Sequence, residues 1–152
     1  MRLTRHSDYA LRVLLFLGAA DGRLVTIGAI AERFGISRNH LMKVVNRLAA
    51  HGFVETVRGK HGGIRLAMSA QQLSLGQLLR CTEEDFTLVE CFSTEDRHCR
   101  IEGNCAVRTA LNEALEAFLA VLDRYTLADL LHNRGELARD LALGDWQALE
   151  LK

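Results

Sequence analysis

Three of the four cysteines lie close together in the stretch CFSTEDRHCRIEGNC, residues 91–105. Seven residues separate Cys91 from Cys99, five separate Cys99 from Cys105, and nine separate the fourth, Cys81, from Cys91. Such thiols can bind zinc, bind an iron–sulfur cluster or remain free. Zinc sites usually contain C-x-x-C pairs, which this sequence lacks, whereas wider gaps on a loop suit a bulkier cluster. Spacing alone leaves these three possibilities open.

An enzyme with a cysteine nucleophile is the alternative from a different functional class. His98 directly precedes Cys99, but adjacent side chains point in different directions and rarely form a nucleophile–base pair. The sequence contains no glycine-rich phosphate loop and no pattern of paired catalytic carboxylates. We therefore predict that the protein is not an enzyme, and that Cys81, outside the cluster of three, packs as a small apolar side chain.

The two halves of the chain that must position these cysteines differ strongly in charge. Of the 152 residues, 49% are hydrophobic and 25% charged, as in an ordinary globular protein, and the formal net charge is zero. Residues 1–66 contain eleven lysines and arginines against four acids, a net charge of +7, while the remainder has eight against fifteen, a net charge of −7. A basic first half favours contact with a polyanion.

The apolar run VLLFLGAA, residues 13–20, faintly resembles a signal peptide. It is only eight residues long, and Asp8 and Arg12 precede it, so we interpret it as part of a core helix. Without a membrane span, we expect a cytoplasmic protein with no membrane partner. In a reducing compartment, cysteines are free or metal-bound more often than paired.

The first half has the pattern of a helix-turn-helix. Apolar residues at helical spacing predict a first helix within residues 4–19. Thr26 is the predicted N-cap of a short helix, IGAIAERF, which ends at Gly35. Ser37 then caps a second helix, RNHLMKVVNRLAAH, which Gly52 closes. Two short helices joined by one glycine turn are typical of this motif.

A predicted hairpin follows, with FVETV and IRLA as strands and RGKHGG as the turn, so that the whole layout is a winged helix. The outer face of the second helix and the tip of the wing present side chains suited to base edges and phosphates of double-stranded DNA. The predicted DNA-contacting residues are Arg2, Ser37, Arg38, Asn39, His40, Lys43, Arg47, Arg58, Lys60, His61 and Arg65.

The second half begins with a capped helix, SLGQLLRCTEE, and ends with a long helical pattern after Cys105. Thr126 and Asp129 resemble a capping pair for a further short helix, LADLLHN. The long pattern carries an apolar seam that recurs after four, three, four, three and four residues, formed by Val107, Leu111, Ala114, Phe118, Val121 and Tyr125. The seam can fold back on the winged helix, but we expect it to pack against a second subunit. A symmetric homodimer also places two recognition helices on a near-palindromic operator.

The predicted fold class is therefore mainly α. It comprises a winged helix-turn-helix with a two-stranded wing at residues 1–68, a linker helix and cysteine loop at 69–104, and a long dimerisation helix with a C-terminal tail at 105–152.

Several stretches together carry a family resemblance that covers nearly the whole chain: RLTRHSDYALRVLLFL, ISRNHLMKVVNRL, VRGKHGGIRL, the three-cysteine loop and YTLADLL. They resemble the IscR-related family of bacterial iron–sulfur winged-helix repressors, and within it the nitric-oxide-sensing branch. ISRNHLMKV and YTLADLL are the stretches that indicate this branch.

The resemblance implies a homodimer in which Cys91, Cys99 and Cys105 hold an iron–sulfur cluster. The four-iron form (4Fe–4S) is favoured and the two-iron form (2Fe–2S) is the alternative. The implied fourth ligand is Asp8 of the partner subunit. Arg108 stands where IscR-like siblings have a histidine ligand. The seven-residue gap after the first ligand departs from the gap of about five that is common in the family, so the loop must bulge.

The implied function is that of a transcriptional repressor, bound to operator DNA while it carries the cluster. Nitric oxide would be the signal that releases it and derepresses genes for nitric-oxide detoxification. Arg12, one turn after Asp8, would couple the cluster to DNA binding by pairing with Asp8 or with DNA. The alternative is a regulator of the same fold that senses iron–sulfur status or redox state.

Overall fold

The computed structural model describes residues 2–93 and 99–144. Within these ranges the chain forms α-helices and one two-stranded antiparallel sheet, which confirms the predicted fold class. In chain order the elements are α1 (Arg5–Ala19), α2 (Ile27–Phe34), α3 (Arg38–Ala50), β1 (Val54–Val57), β2 (Gly63–Leu66), α4 (Leu75–Thr82), α5 (Ala106–Asp123), α6 (Leu127–Leu130) and α7 (Arg134–Asp140).

The helix-turn-helix begins and ends where the capping residues predict. The side chain of Thr26 accepts a hydrogen bond from the backbone N–H of Ala29, and that of Ser37 accepts one from His40. Each bond satisfies one of the N–H groups that a helix start leaves without a partner. Gly35 adopts the left-handed conformation, φ +63°, which glycine enters at little steric cost. The turn between α2 and α3 is therefore encoded locally.

The wing is fixed to the helices by backbone hydrogen bonds. β1 and β2 pair with Val54 opposite Leu66. Val25 exchanges two backbone hydrogen bonds with Ile64, at 2.9 and 2.8 Å, so the segment before α2 pairs with β2 through one antiparallel bridge. A side chain at Gly62 would collide with the carbonyl oxygen of Val57, so the tight turn requires glycine there.

One hydrophobic core spans both halves of the chain. From the first half it contains fully buried residues of α1, α2 and α3, including Phe16, Ile30 and Leu41. From the second half, Leu127 and Leu141 join the same core. The predicted segment boundaries at 68/69 and 104/105 stay predictions, and the core contains residues from all three predicted segments, among them Leu41, Leu78 and Leu127.

The C-terminal elements return to the winged helix instead of trailing away from it. The Leu127 N–H donates to the carbonyl of Leu73 at 2.8 Å, and the Leu75 N–H donates to that of Tyr125 at 2.9 Å. The predicted capping box of Thr126 and Asp129 is present and starts α6. The helix α7, which the sequence analysis did not predict, packs with α6 against α1.

The long helix α5 is covered on one side only. It packs against α4, where the Arg80 guanidinium donates two hydrogen bonds to the Asp123 carboxylate. None of its residues is fully buried, and Val107 and Val121 are 64% and 42% exposed. The predicted apolar seam is therefore open along a single chain. Within the described part of the chain, no helix has the length and apolar character needed to cross a membrane.

Candidate DNA interface and cysteine loop

The outer face of α3 presents polar side chains because its apolar residues are spaced to face the core. Leu41, Val44, Val45 and Leu48 are buried, and the remaining positions point away from them. Most of the DNA contacts predicted on this helix are exposed, together with two further side chains. The exposed residues are Ser37, Arg38, Asn39, His40, Met42, Lys43 and Asn46.

Met42 is a member of this face that the sequence analysis missed. Its side chain is 47% exposed, one turn after Arg38 and next to Lys43. The helical rotation of about 100° per residue places it away from the four buried residues of α3. That rotation is the signal that finds it. A thioether at this place suits contact with a thymine methyl group.

Arg47 lies elsewhere than the other predicted DNA contacts on α3. It is half-buried, and its Nε donates a hydrogen bond to the carbonyl oxygen of Cys81 at 2.6 Å. Because Cys81 belongs to the last turn of α4, this side chain joins two helices of the same chain. The structure thus gives Arg47 a contact inside the protein, apart from the exposed face of α3.

The predicted basic residues of the wing lie at its turn and on its second strand. Arg58, Lys60 and His61 are exposed in the turn between β1 and β2. Arg65 is exposed on β2 and forms an ion pair with Glu55 across the sheet. Arg2, also predicted to contact DNA, lies instead beside residues 83–88 and the α5 side chain Phe118, where these groups line a common cavity.

Asp8 and Arg12 form a bidentate ion pair on α1. Arg12 donates from Nε to Oδ1 of Asp8 at 3.1 Å and from Nη2 to Oδ2 at 2.9 Å. The Arg12 guanidinium also lies 5.8 Å from the ring centre of Phe34 and 6.0 Å from that of Tyr9. Phe34 is the last residue of α2 before the Gly35 turn, so Arg12 connects Asp8 with the helix-turn-helix. Asp8 is one of the two partners that the sequence analysis predicted for Arg12.

The three clustered cysteines are all free thiols. Cys91 is buried, while Cys99 and Cys105 are half-buried. Within residues 2–93 and 99–144, no three histidine, cysteine or acidic side chains of one chain are gathered closely enough to hold a metal ion. Residues 94–98, which include His98 and most of the gap in which the loop is expected to bulge, lie outside the described residues.

The cysteine loop adjoins α5 and a cavity. Cys105 directly precedes α5. A cavity of about 910 Å³ adjoins the loop at Phe92 and Ser93 and extends along α5 from Arg108 to Leu115. Iron–sulfur clusters are bound by thiolates, so the three free cysteines fit such a cluster in donor type.

Cys81 differs from the other three. It belongs to the hydrophobic core, and burial raises the pKa of its thiol, against the opposing influence of Arg47. A protonated, buried thiol is a poor nucleophile and a poor ligand. These properties support the predicted packing role.

The N-terminus of α1 is joined to the end of α4 by a buried polar network. Glu83 accepts hydrogen bonds from the backbone N–H and the hydroxyl of Thr4, at 2.9 and 3.1 Å. The hydroxyls of Ser7 and Thr82 lie 2.8 Å apart, and both side chains are almost fully buried. Together with the Arg47–Cys81 contact, these bonds form what we call the α1–α3–α4 junction.

His6 belongs to the same junction. Burial lowers the pKa of its imidazole, and the charge of Arg47 lowers it further, whereas Glu83 and Glu84 oppose the shift. Its Nε2 is buried, with no hydrogen-bond partner among the described residues. The junction therefore combines satisfied hydroxyls with one imidazole that favours its neutral form.

Comparison with known proteins identifies the family of this chain. A family model described as Rrf2, iron-dependent transcriptional regulator, matches residues 3–133. The HTH-type transcriptional regulator NsrR of Bacillus subtilis (strain 168) is 49% identical over 144 residues, which are 94% of this chain and 99% of that protein. The protein of the same name from Geobacillus kaustophilus (strain HTA426) is 52% identical over 138 residues, or 90% of this chain and 94% of that protein.

A solved structure shares the fold. The oxidised form of CymR from Staphylococcus aureus superposes with a TM-score of 0.69 at 25% sequence identity, covering 87% of this chain and 97% of that one. The arrangement of winged helix and long helix is thus common to this chain and to that protein.

Proposed function

The chain belongs to the Rrf2 family of transcriptional regulators, as the sequence motifs predicted, and on this premise we propose that it is a homodimeric, non-enzymatic repressor controlled by an iron–sulfur cluster. It binds operator DNA in the cluster-loaded form and leaves DNA when nitric oxide attacks the cluster. One observation carries the proposal: three free thiols lie within fifteen residues of the sequence, in a chain whose basic half is a winged helix.

DNA binding rests on the exposed face of α3 and on the wing. The α3 face offers Asn39, Lys43 and Asn46 at its centre, which match the hydrogen-bonding groups of base edges. Arg58 and Lys60 at the wing turn supply positive charge for phosphates. Because the lysines and arginines of residues 1–66 outnumber the acids, attraction to DNA is confined to this half.

Dimerisation rests on the open side of α5. An exposed apolar stripe along an eighteen-residue helix is unfavourable in water, and a second copy of the same helix covers it by symmetry. Val107 and Val121 mark its two ends. The pairing also brings two recognition helices onto one operator.

The cluster ligands are Cys91, Cys99 and Cys105 of one subunit with Asp8 of the partner subunit, and the four-iron form is favoured. When bound, the cluster supplies iron that reacts with nitric oxide, and a carboxylate is the weakest of the four ligands for it. For Asp8 to reach the other subunit it must exchange its two hydrogen bonds from Arg12. When Asp8 leaves Arg12, the Arg12 guanidinium changes its contact with the ring of Phe34 at the end of α2. This exchange links ligand binding to the helix-turn-helix.

Asp8→Ala tests the proposal in anaerobically purified protein. We expect the variant to keep visible cluster absorption and to react with nitric oxide at a different rate. The ratio of operator affinities between the cluster-loaded and cluster-free forms should fall at least about tenfold. Asp140→Ala, an exposed acid on α7, is the control and should match the wild type.

Three results distinguish the alternatives. Protein that lacks iron and sulfide yet binds the operator tightly contradicts the cluster-dependent function. An Asp8→Ala variant that matches the wild type removes Asp8 from the ligand set. Operator release that follows cluster occupancy or thiol oxidation, but not nitric oxide, assigns the chain to the sensors of iron–sulfur status or redox state.

A further inference from the structure

We propose that Arg47 is a positioning residue that couples the cysteine loop of its own subunit to the recognition helix α3. The coupling acts through the C-terminal end of α4. The inference deepens the proposed function and rests on it, since it concerns how the state of the loop reaches the DNA-binding face. It assigns Arg47 a role other than contact with DNA.

The contact between Arg47 and α4 is short and directional. The Nε of Arg47 donates to the carbonyl oxygen of Cys81 at 2.6 Å. This carbonyl belongs to the last turn of α4, where carbonyl groups have no partner inside the helix. A guanidinium at a helix C-terminus also opposes the negative end of the helix dipole. Arg47 therefore acts as a cap for α4 that is supplied by α3.

The cap lies directly before the cysteine loop. Thr82 ends α4, and Cys91 follows nine residues later in the chain. Thr82 and Glu83 are also held by the α1 side chains Ser7 and Thr4. The start of the loop is thus bonded to α1 on one side and to α3 on the other. A displacement of the loop that pulls on this segment must strain or break one of these contacts.

The direction of the Arg47 side chain separates it from the DNA-binding face. At about 100° per residue, Asn39 and Asn46 lie near the centre of the exposed side of α3, whereas Arg47 lies toward its flank. Arg47 is half-buried there, while Lys43 is exposed. The two basic side chains of one helix therefore occupy different environments and serve as a matched pair for experiment.

This connection is independent of the one formed by Arg12. The Asp8–Arg12 pair reaches the end of α2 through Phe34, and in the proposed function it responds to the cluster of the partner subunit. Arg47 reaches α3 and responds to the loop of the same chain. In a dimer with both connections, the state of each cluster affects the helix-turn-helix at two places, the end of α2 and α3.

The test uses the full-length protein and compares Arg47→Gln with Lys43→Gln. Operator affinity is measured for the cluster-loaded and cluster-free forms over a range of salt concentrations. For Arg47→Gln we expect the ratio of the two affinities to fall by at least about fivefold, with the salt dependence of the wild type. For Lys43→Gln we expect both forms to weaken by the same factor, with the salt slope reduced by about one.

Arg47→Lys and hydrogen exchange provide further measurements. Lysine keeps the charge and a donor, so this variant should retain more of the affinity ratio than Arg47→Gln. In the cluster-free protein, Arg47→Gln should speed amide exchange in the last turns of α3 and α4, while Lys43→Gln should not. If Arg47→Gln fails to fold, hydrogen exchange of the wild type decides: amide exchange in the last turns of α3 and α4 that is the same in the cluster-loaded and cluster-free forms overturns the inference.

The outcomes separate this inference from the proposed function. If the wild type shows a difference between loaded and cluster-free forms and Arg47→Gln keeps all of it, the inference is wrong while the function stands. Equal weakening of both forms with a reduced salt slope makes Arg47 a phosphate contact and also overturns it. If the wild type shows no difference at all, the proposed function fails, and the inference fails with it.

Discussion

The winged helix and the α5–cysteine-loop region differ in how far their side chains are buried and paired within one chain. In the winged helix most apolar side chains of the three helices are buried or partly buried, every helix start is capped by a hydroxyl, and the wing is paired. In the second region α5 buries none of its residues completely, and the three clustered cysteines are unpaired. The first region is complete within one chain, while the second presents surface and donors that require other partners.

This difference teaches where regulation can act. A region whose interactions are all satisfied within one chain has little reason to change when a ligand or a second subunit arrives. A region with exposed apolar surface and free thiols gains much of its stability from those partners. The α1–α3–α4 junction lies between the two, and it is the place where a change in the second region meets the first.

Truncating a core side chain of the winged helix should give the largest loss of stability. Leu41 is fully buried in α3, and Leu41→Ala removes its contacts and leaves a cavity. We expect the free energy of unfolding to fall by about 2–5 kcal/mol. Met42→Ala, next to it but exposed, should change the value by less than about 0.5 kcal/mol. Chemical denaturation of both variants checks this, and equal losses would contradict the self-contained core.

The open side of α5 should instead respond through assembly. The double variant Val107→Asp/Val121→Asp places charges on the exposed apolar stripe. We expect the dimer dissociation constant to rise at least about 100-fold, while the helical content of the monomer is retained. Analytical ultracentrifugation and circular dichroism measure the two quantities. Unfolding of the chain, or an unchanged dimer, would mean that α5 is not the open part of the molecule.

Two matched N-caps compare the regions at a smaller scale. Thr26 caps α2 in the winged helix, and Thr126 caps α6 near the C-terminus. Because both helices pack on the same core, we expect Thr26→Ala and Thr126→Ala each to lower the free energy of unfolding by about 1 kcal/mol. Thermal unfolding followed by circular dichroism checks this. A loss for Thr26→Ala alone would place α6 outside the cooperative unit.

The smallest effect should come from the ion pair that holds α5 on α4. The hydrogen bond from Arg80 lowers the pKa of Asp123 from its ordinary value of 3.8. Its contribution is therefore present above pH 3.8 and is lost as the pH falls through the lowered pKa. Because the pair is exposed, the change should be slight. Asp123→Asn should flatten the acid dependence of stability relative to Asp140→Asn, and identical profiles would contradict the pairing.

The helix-turn-helix was predictable because its signals are local. Thr26, Gly35 and Ser37 each set a boundary through a bond or a backbone conformation that involves only neighbouring residues. The capping box at Thr126 and the apolar period of α5 are local in the same sense. The structure confirms each of these predictions to within one or two residues.

The second half was harder to predict because its decisive contacts join distant segments. The bonds of Tyr125 and Leu127 to residues 73–75 turn the C-terminal helices back onto α1, and no short motif announces that return. The helix α7 was missed because it has no side-chain cap. The positions of Arg47 and Met42 also depended on helix orientation, which residue type alone did not reveal.

The sequence by itself therefore determined most of the elements, the basic winged helix, the cysteine spacing and the family, since these depend on neighbouring residues and on recognisable motifs. Only the tertiary structure decided which side chains face outward, that α5 remains uncovered, that Asp8 is held by Arg12, and that Arg47 caps α4. The physical reason is that burial and hydrogen bonding between distant segments follow from the packing of whole helices. Arg47, which the sequence offers as a DNA contact, donates a hydrogen bond to a carbonyl group 34 residues away along the chain.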